Sequence, residues 1–143
     1  MHLDQLKTGT GRCAHFVLED NAERIAAFHA KLTQPPLLQD HTPFFSDNAP
    51  DFLAEIARFR SVPDNVEIAM ILHLDHDLGG QVMVDPSRED CGSEVVRQMI
   101  ACGAPALHPC FTIVHSYNTI AALWMITALQ EAGFHAAYLP FAE

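Results

Sequence analysis

Five residues in the middle of the chain, His73-Leu74-Asp75-His76-Asp77, gather two carboxylates and two imidazoles. Side chains two apart share one side of an extended backbone, so Asp75 and Asp77 can point into one site. His76 lies between two aspartates that favour its imidazolium and raise its pKa, which suits a general acid. His73 belongs to an apolar run and is expected to be an ordinary core residue. Two other apolar runs end in comparable groups, Glu19-Asp20 after Cys13 to Leu18 and His115-Ser116 after Phe111 to Val114. If these ends meet, the four carboxylates repel one another and their pKa values rise. A divalent cation removes that cost, and an oxygen-rich set suits Mg²⁺ or Mn²⁺. Glu19, Asp20, Asp75 and Asp77 are therefore the candidate metal ligands, with His76 and His115 the candidates for proton transfer. Gly79 and Gly80, just beyond the motif, let backbone amides approach an anion closely. His15, His29, His41, His108 and His135 lack such a context and are expected to be structural.

Alternating strands and helices must position these groups. Cys13 to Leu18 is a buried strand closed by the polar turn Glu19-Asp20-Asn21. Asn21 can cap a helix running to about Leu32, where Gln34-Pro35-Pro36 stops it. A short edge strand is expected within His41 to Phe45. Pro50 opens a helix through about Arg60 whose apolar stripe is Phe52, Leu53, Ile56 and Phe59. Val66 to Leu74 is apolar along most of its length, as a central strand is. Asp75 to Gly80 follow it, then a loop of about ten residues ending near Asp90, then a helix from Ser93 to Ala101 with Gly103 just past its end. Phe111 to Val114 is a buried strand, Thr119 to Glu131 a helix stopped by Gly133, and Phe134 to Leu139 the last strand. Such alternation joins parallel strands by right-handed crossovers. It predicts an α/β three-layer sandwich of the flavodoxin type, with a five-stranded parallel sheet in the order 2-1-3-4-5. In such sheets the ligand sits outside the carboxyl ends of the strands, where strands 1 and 3 diverge.

The length, 143 residues, fits a single domain, with about residues 1–12 as an N-terminal loop segment. Hydrophobic residues make up 49% of the chain, enough for a packed core. The longest apolar runs, Ile68 to Leu72 and Ile120 to Ile126, are far shorter than the ~20 residues that span a bilayer. Met1-His2-Leu3-Asp4-Gln5 lacks the pattern of a signal peptide, so a cytoplasmic protein without a membrane partner is expected. The net charge of −10, from 18 acidic and 8 basic residues, repels long duplex nucleic acid. A small phosphorylated ligand approached through a metal ion remains compatible with it. Cys13, Cys91, Cys102 and Cys110 form no C-x-x-C pair and are expected to be reduced, mostly buried thiols.

Two elements together resemble a known family. Leu74-Asp75-His76-Asp77-Leu78-Gly79, followed after a helix by Val114-His115-Ser116-Tyr117-Asn118, is similar to the cyclic-phosphate processing receivers, and Phe16-Val17-Leu18-Glu19-Asp20 resembles the acidic first strand of receivers generally. The resemblance covers most of the chain, from about His15 onward. It implies a receiver-like fold with an acidic pocket, in which Glu19 and Asp20 match the metal-binding acids of strand 1. Asp75 then matches the phospho-acceptor aspartate, and Ser116 the hydroxyl residue that ends strand 4. Asn118 completes the His-Ser-x-Asn element and is assigned, with Gly79 and Gly80, to binding the substrate. The lysine that closes strand 5 of receivers has no counterpart in Tyr138-Leu139-Pro140-Phe141, and Lys7 and Lys31 are the only lysines. That departure argues against a phospho-relay switch, and the added His76 and His115 argue toward chemistry.

The expected function is a metal-assisted phosphoesterase opening a cyclic phosphate of a nucleotide or RNA end. Asp20, Asp75 and either Glu19 or Asp77 would hold the metal, His76 and His115 would move protons, and Ser116 would bond a phosphoryl oxygen. Two alternatives stand beside it: a non-catalytic pseudo-receiver that binds a ligand or partner, and a receiver phosphorylated on Asp75. A haloacid-dehalogenase-type phosphatase, suggested by Asp75-x-Asp77, carries its paired aspartates on the first strand, whereas here about half the chain precedes them.

Overall fold

The structure, a computed structural model, describes residues 13–32, 42–78, 87–88, 90–107 and 109–140. Gly79, Gly80, His41, His108 and the N-terminal segment 1–12 lie outside the described residues. The chain runs β1 (Cys13–Leu18), α1 (Ala22–Leu32), β2 (Phe44–Ser46), α2 (Ala49–Ser61), β3 (Ala69–Leu74), α3 (Gly92–Cys102), α4 (Ala104–Leu107), β4 (Cys110–Val114), α5 (Thr119–Glu131) and β5 (His135–Tyr138). The five strands form one sheet in the order β2-β1-β3-β4-β5, parallel at every pairing. This is the expected α/β receiver-like topology.

Local chemistry accounts for the boundaries. The Asn21 side chain accepts the Arg24 amide at 3.0 Å and starts α1. Asn48 does the same for α2 through the Asp51 amide at 2.9 Å, with Pro50 in the first turn. Gly103 ends α3 at φ +85°, donating its amide to Met99 and Ile100. Most other boundaries fall within a residue of the sequence reading, α4 is an added short helix, and two strands differ in an informative way. β3 begins at Ala69 rather than Val66, because Pro63–Asn65 close a 3-10 turn and, among the described residues, the pairing with β1 and β4 starts at Ala69 and Met70. The edge strand is Phe44–Ser46, since only those residues meet Phe16 to Leu18 of β1.

The register aligns residues of equal parity, so odd-numbered side chains of β1, β3 and β4 share one face and even-numbered ones the other. The even face carries Phe16, Leu18, Met70, Leu72, Leu74 and Val114 into a core with Phe52 and Ile56 of α2, Val95 and Met99 of α3, and Met125 and Leu129 of α5. Burying each such side chain contributes about 1.5–3 kcal/mol. The odd face packs under α1 through a much smaller apolar cluster of Val17, Phe28 and Leu32, edged by Phe45. His15 and His73 stack there, with Nδ1 of one 2.7 Å from Nε2 of the other, which makes both the structural residues expected of them. Burial drives the His15 pKa down to about 4 and that of His73 well below its ordinary value, so both rings are neutral. Among the described residues no helix is long and apolar enough to cross a membrane.

Candidate functional site

The last hydrogen-bonded row of the sheet is Ser46, Leu18, Leu74, Val114 and Tyr138. Each of the next residues keeps the ladder going for one more bond. The amide of Glu19 donates to Ser46 (2.9 Å), that of Asp75 to Leu18 (3.0 Å), that of His115 to Leu74 (3.0 Å) and that of Leu139 to Val114 (2.9 Å). Glu19, Asp75 and His115 therefore stand side by side on three adjacent strands, on the odd face. One ligand atom from each lies within 4.8 Å of the other two, and all three residues are buried.

Two carboxylates this close cannot both be comfortably ionised. Burial acts to raise the Glu19 pKa, but a hydrogen bond from His115 Nε2 (3.2 Å), contact with Asp75 and the Asn21 amide outweigh it and hold Glu19 down to about 2. The cost falls on Asp75, which burial and the neighbouring Glu19 charge push up to about 8. The pair thus behaves as two carboxyls sharing one proton. Two oxygens and one imidazole nitrogen fit a divalent ion such as Mg²⁺ or Mn²⁺, the nitrogen favouring Mn²⁺, and the ion's charge would dispose of that proton. The buried Nδ1 of His115 has no hydrogen-bond partner, so no second contact pins the tautomer of this ring.

The other carboxylates expected at the metal stand outside this group. Asp20 is half-buried beyond the ladder, with its amide bonded back to Glu19 Oε2 at 3.0 Å. Asp77 does not follow Asp75 onto the odd face, because the backbone leaves the strand at Leu74 and turns. Its carboxylate instead meets His76 Nδ1 at 2.9 Å and accepts from Asn118 Nδ2 at 3.1 Å. His76, of even parity, reaches the opposite side of the sheet, where Nε2 lies 3.2 Å from Ser93 Oγ, itself 2.9 Å from Cys91 Sγ. Burial acts against its charge, but Cys91 and Asp77 outweigh it and raise the His76 pKa. The Cys91 thiol is lowered in return, burial being outweighed by His76 and Ser93. Ser116 Oγ accepts the Asn118 amide at 3.1 Å, while Asn118 Oδ1 caps α5 through the Ala121 amide at 3.1 Å. Both ends of the Asn118 amide are thus engaged within the chain.

Three contributors gave no signal in the sequence reading. Arg24, in the first turn of α1, places Nη1 3.4 Å from Glu19 and 3.8 Å from Asp75. Tyr117 carries the same guanidinium over its ring, 4.9 Å from the centroid. Gly92 opens α3 so close to the strand end that a Cβ would stand 2.0 Å from the Asp75 carbonyl oxygen, and its amide donates to His76 at 2.9 Å. The available clue was a glycine beside the start of a helix after an acidic loop; the arginine looked like helix surface.

A parallel 2-1-3-4-5 sheet with acids at its carboxyl edge defines an α/β protein of receiver type. More narrowly, the model of the cyclic-phosphate processing receiver domain matches residues 45–131, more than half of the chain, and the protein belongs to that family. The match takes in Asp75, His76, Asp77, His115, Ser116 and Asn118, and leaves Glu19 and Arg24 outside it. No curated protein and no solved structure matches the chain significantly.

Proposed function

We propose that the protein is a metal-assisted phosphoesterase that opens a cyclic phosphate of a nucleotide or RNA end. The observation that carries this reading is the buried Glu19–Asp75–His115 group in a chain of the cyclic-phosphate processing family. A divalent cation held by these three would polarise the phosphoryl oxygens and orient the attacking water. Water adds to phosphorus, one ring P–O bond breaks, and the freed oxygen takes up the proton that the water loses. The Ser116 hydroxyl, whose oxygen already accepts the Asn118 amide, keeps its proton for a phosphoryl oxygen. His76, favoured in its charged form by Asp77, lies across the sheet from these ligands with both ring nitrogens engaged. It is therefore assigned to charge balance at the strand end, and the proton passes from the attacking water to the freed oxygen through solvent. His115 moves in this reading from proton transfer to holding the ion. Asp20 keeps a supporting part beside the ion, and Gly79, Gly80 and Asn118 remain the residues assigned to binding the substrate.

The test is hydrolysis of a 2′,3′-cyclic nucleotide with Mn²⁺ or Mg²⁺ and after chelation. Metal-dependent ring opening, lost in both Asp75→Asn and His115→Ala, supports the assignment; full activity in both variants sinks it. One observation favours a second reading, a module that binds such a ligand without turnover: both ring nitrogens of His76 are already engaged. Thermal stabilisation by the cyclic nucleotide with no product formed would favour that reading over the first.

A further inference from the structure

Arg24 occupies a position that helix electrostatics does not explain. It lies in the first turn of α1, where the helix dipole favours anions and repels cations. Glu19 and Asp75 hold it there, at 3.4 and 3.8 Å, distances loose enough that neither pair is a tight bidentate one. Four other arginines within the described residues are engaged elsewhere: Arg58 with Glu55, Arg88 with Asp90, Arg97 with Glu94, and Arg60 with the carbonyls of Asn65 and Val66. The far edge of the sheet brings no cation, since the residue that continues β5 at the site row is Leu139.

We propose that Arg24 is a binding residue with two positions: paired with Glu19 and Asp75 while the metal site is empty, and turned onto the phosphoryl group of the ligand once a metal ion is bound. This inference rests on the metal-site reading above. A divalent ion between Glu19, Asp75 and His115 takes up the negative charge that attracts the guanidinium and repels it as a like charge. The Tyr117 ring supplies the support for the second position. It covers one face of the guanidinium, is itself half exposed, and directly follows Ser116. Stacking uses the face of a guanidinium and leaves its in-plane N–H groups for a tetrahedral anion, which they bind in a fork. The Arg24 side chain keeps 20% of its surface exposed, against 0% for Glu19 and 5% for Asp75, so an incoming anion meets it first.

The experiment uses the full chain, with Mn²⁺ and inorganic phosphate as probes. Mn²⁺ affinity is measured by titration, and phosphate affinity is then measured on the Mn²⁺-loaded protein, for the parent, Arg24→Gln and Arg24→Lys. Removing the competing cation should tighten Mn²⁺ about tenfold in Arg24→Gln while weakening phosphate on the loaded protein more than tenfold. Arg24→Lys should restore part of the phosphate affinity. Unchanged phosphate affinity in Arg24→Gln overturns the proposal. Should that variant fail to fold, the parent alone still decides: the ¹⁵N Nε–H resonance of Arg24 must shift on adding Mg²⁺ and again on adding phosphate. A resonance indifferent to both overturns it. Failure of the underlying reading looks different, because the parent then binds no Mn²⁺; Arg24 would in that case be a permanent partner of Glu19 and Asp75, and both claims fall.

Discussion

The two faces of the sheet are made from alternate residues of the same strands, yet they are built for different ends. On the even side, Phe16, Leu18, Met70, Leu72 and Leu74 meet α2, α3 and α5 in one large apolar cluster. On the odd side, His15, Glu19, His73, Asp75 and His115 are buried, and the apolar residues buried with them among the described residues are fewer: Val17, Phe28, Leu32, Ile71 and Ile113. Burying ionisable groups is expensive unless they are paired or bound to a cation. The even face holds the fold together, and the odd face uses some of that stability to keep charge and imidazole out of water. Substitutions on the two faces should therefore separate stability from activity.

The largest separation is expected at Asp75. Replacing it with Asn removes a metal ligand, so hydrolysis should fall at least ~10³-fold and Mn²⁺ binding should be lost. The same change removes a carboxyl that burial and Glu19 push up to about 8, so the metal-free protein should unfold at higher urea above that pH. An Asp75→Asn variant that is inactive but less stable in metal-free buffer would show that the carboxylate serves the fold and not an ion.

Leu72→Ala tests the opposite face. It empties a fully buried position between β1 and β4 and should cost about 2–5 kcal/mol in urea unfolding. Mn²⁺ affinity per folded molecule should stay within about threefold of the parent. A large loss of metal affinity at unchanged stability would erase the distinction between the faces.

This parity was partly legible in the sequence. Apolar runs ending in Glu19-Asp20, Asp75-His76-Asp77 and His115-Ser116 located three strand ends, and the alternation of strands and helices gave their order. What could not be read was where each chain leaves its strand. Asp75 and Asp77 share a side only while the backbone stays extended, and it turns after Leu74, sending Asp77 to His76 and Asn118. His76, adjacent to Asp75, points away from it and joins Ser93 at the start of α3. Arg24 and Gly92 escaped notice because their roles depend on contacts with strand ends about 50 and 17 residues away, which no local pattern reports.

Two buried odd-face histidines, His15 and His73, make the fold sensitive to acid. The His15 pKa is lowered to about 4 by burial, so the unfolded chain binds its proton first as acid is added. A depressed histidine contributes stability that is complete above about pH 6.5 and is lost as pH falls toward 4. The full effect of His15 alone is about 3 kcal/mol, with His73 adding in the same direction. Measured in the Asp75→Asn background, urea unfolding should weaken between pH 6.5 and 4.5, a window above that in which Glu19 begins to act. His15→Phe should flatten this slope, and an unchanged slope would place the acid sensitivity elsewhere.

The smallest effect expected is at Ser93, and it bears on the seam between the faces. Ser93 Oγ stands between His76 Nε2 at 3.2 Å and Cys91 Sγ at 2.9 Å, tying the first turn of α3 to the end of β3. Ser93→Ala deletes one buried hydrogen-bonding group and should cost about 1 kcal/mol. Because His76 follows Asp75 directly, and Gly92 already clamps α3 against the Asp75 carbonyl, the lost bond leaves the strand end in place. Mn²⁺ affinity should then be nearly unchanged, while the pKa of His76, read from its ring resonances, should move because one partner has gone. A fall in metal affinity as large as that from Asp75→Asn would mean that the even-face network positions the odd-face ligands, and that the two faces are one machine.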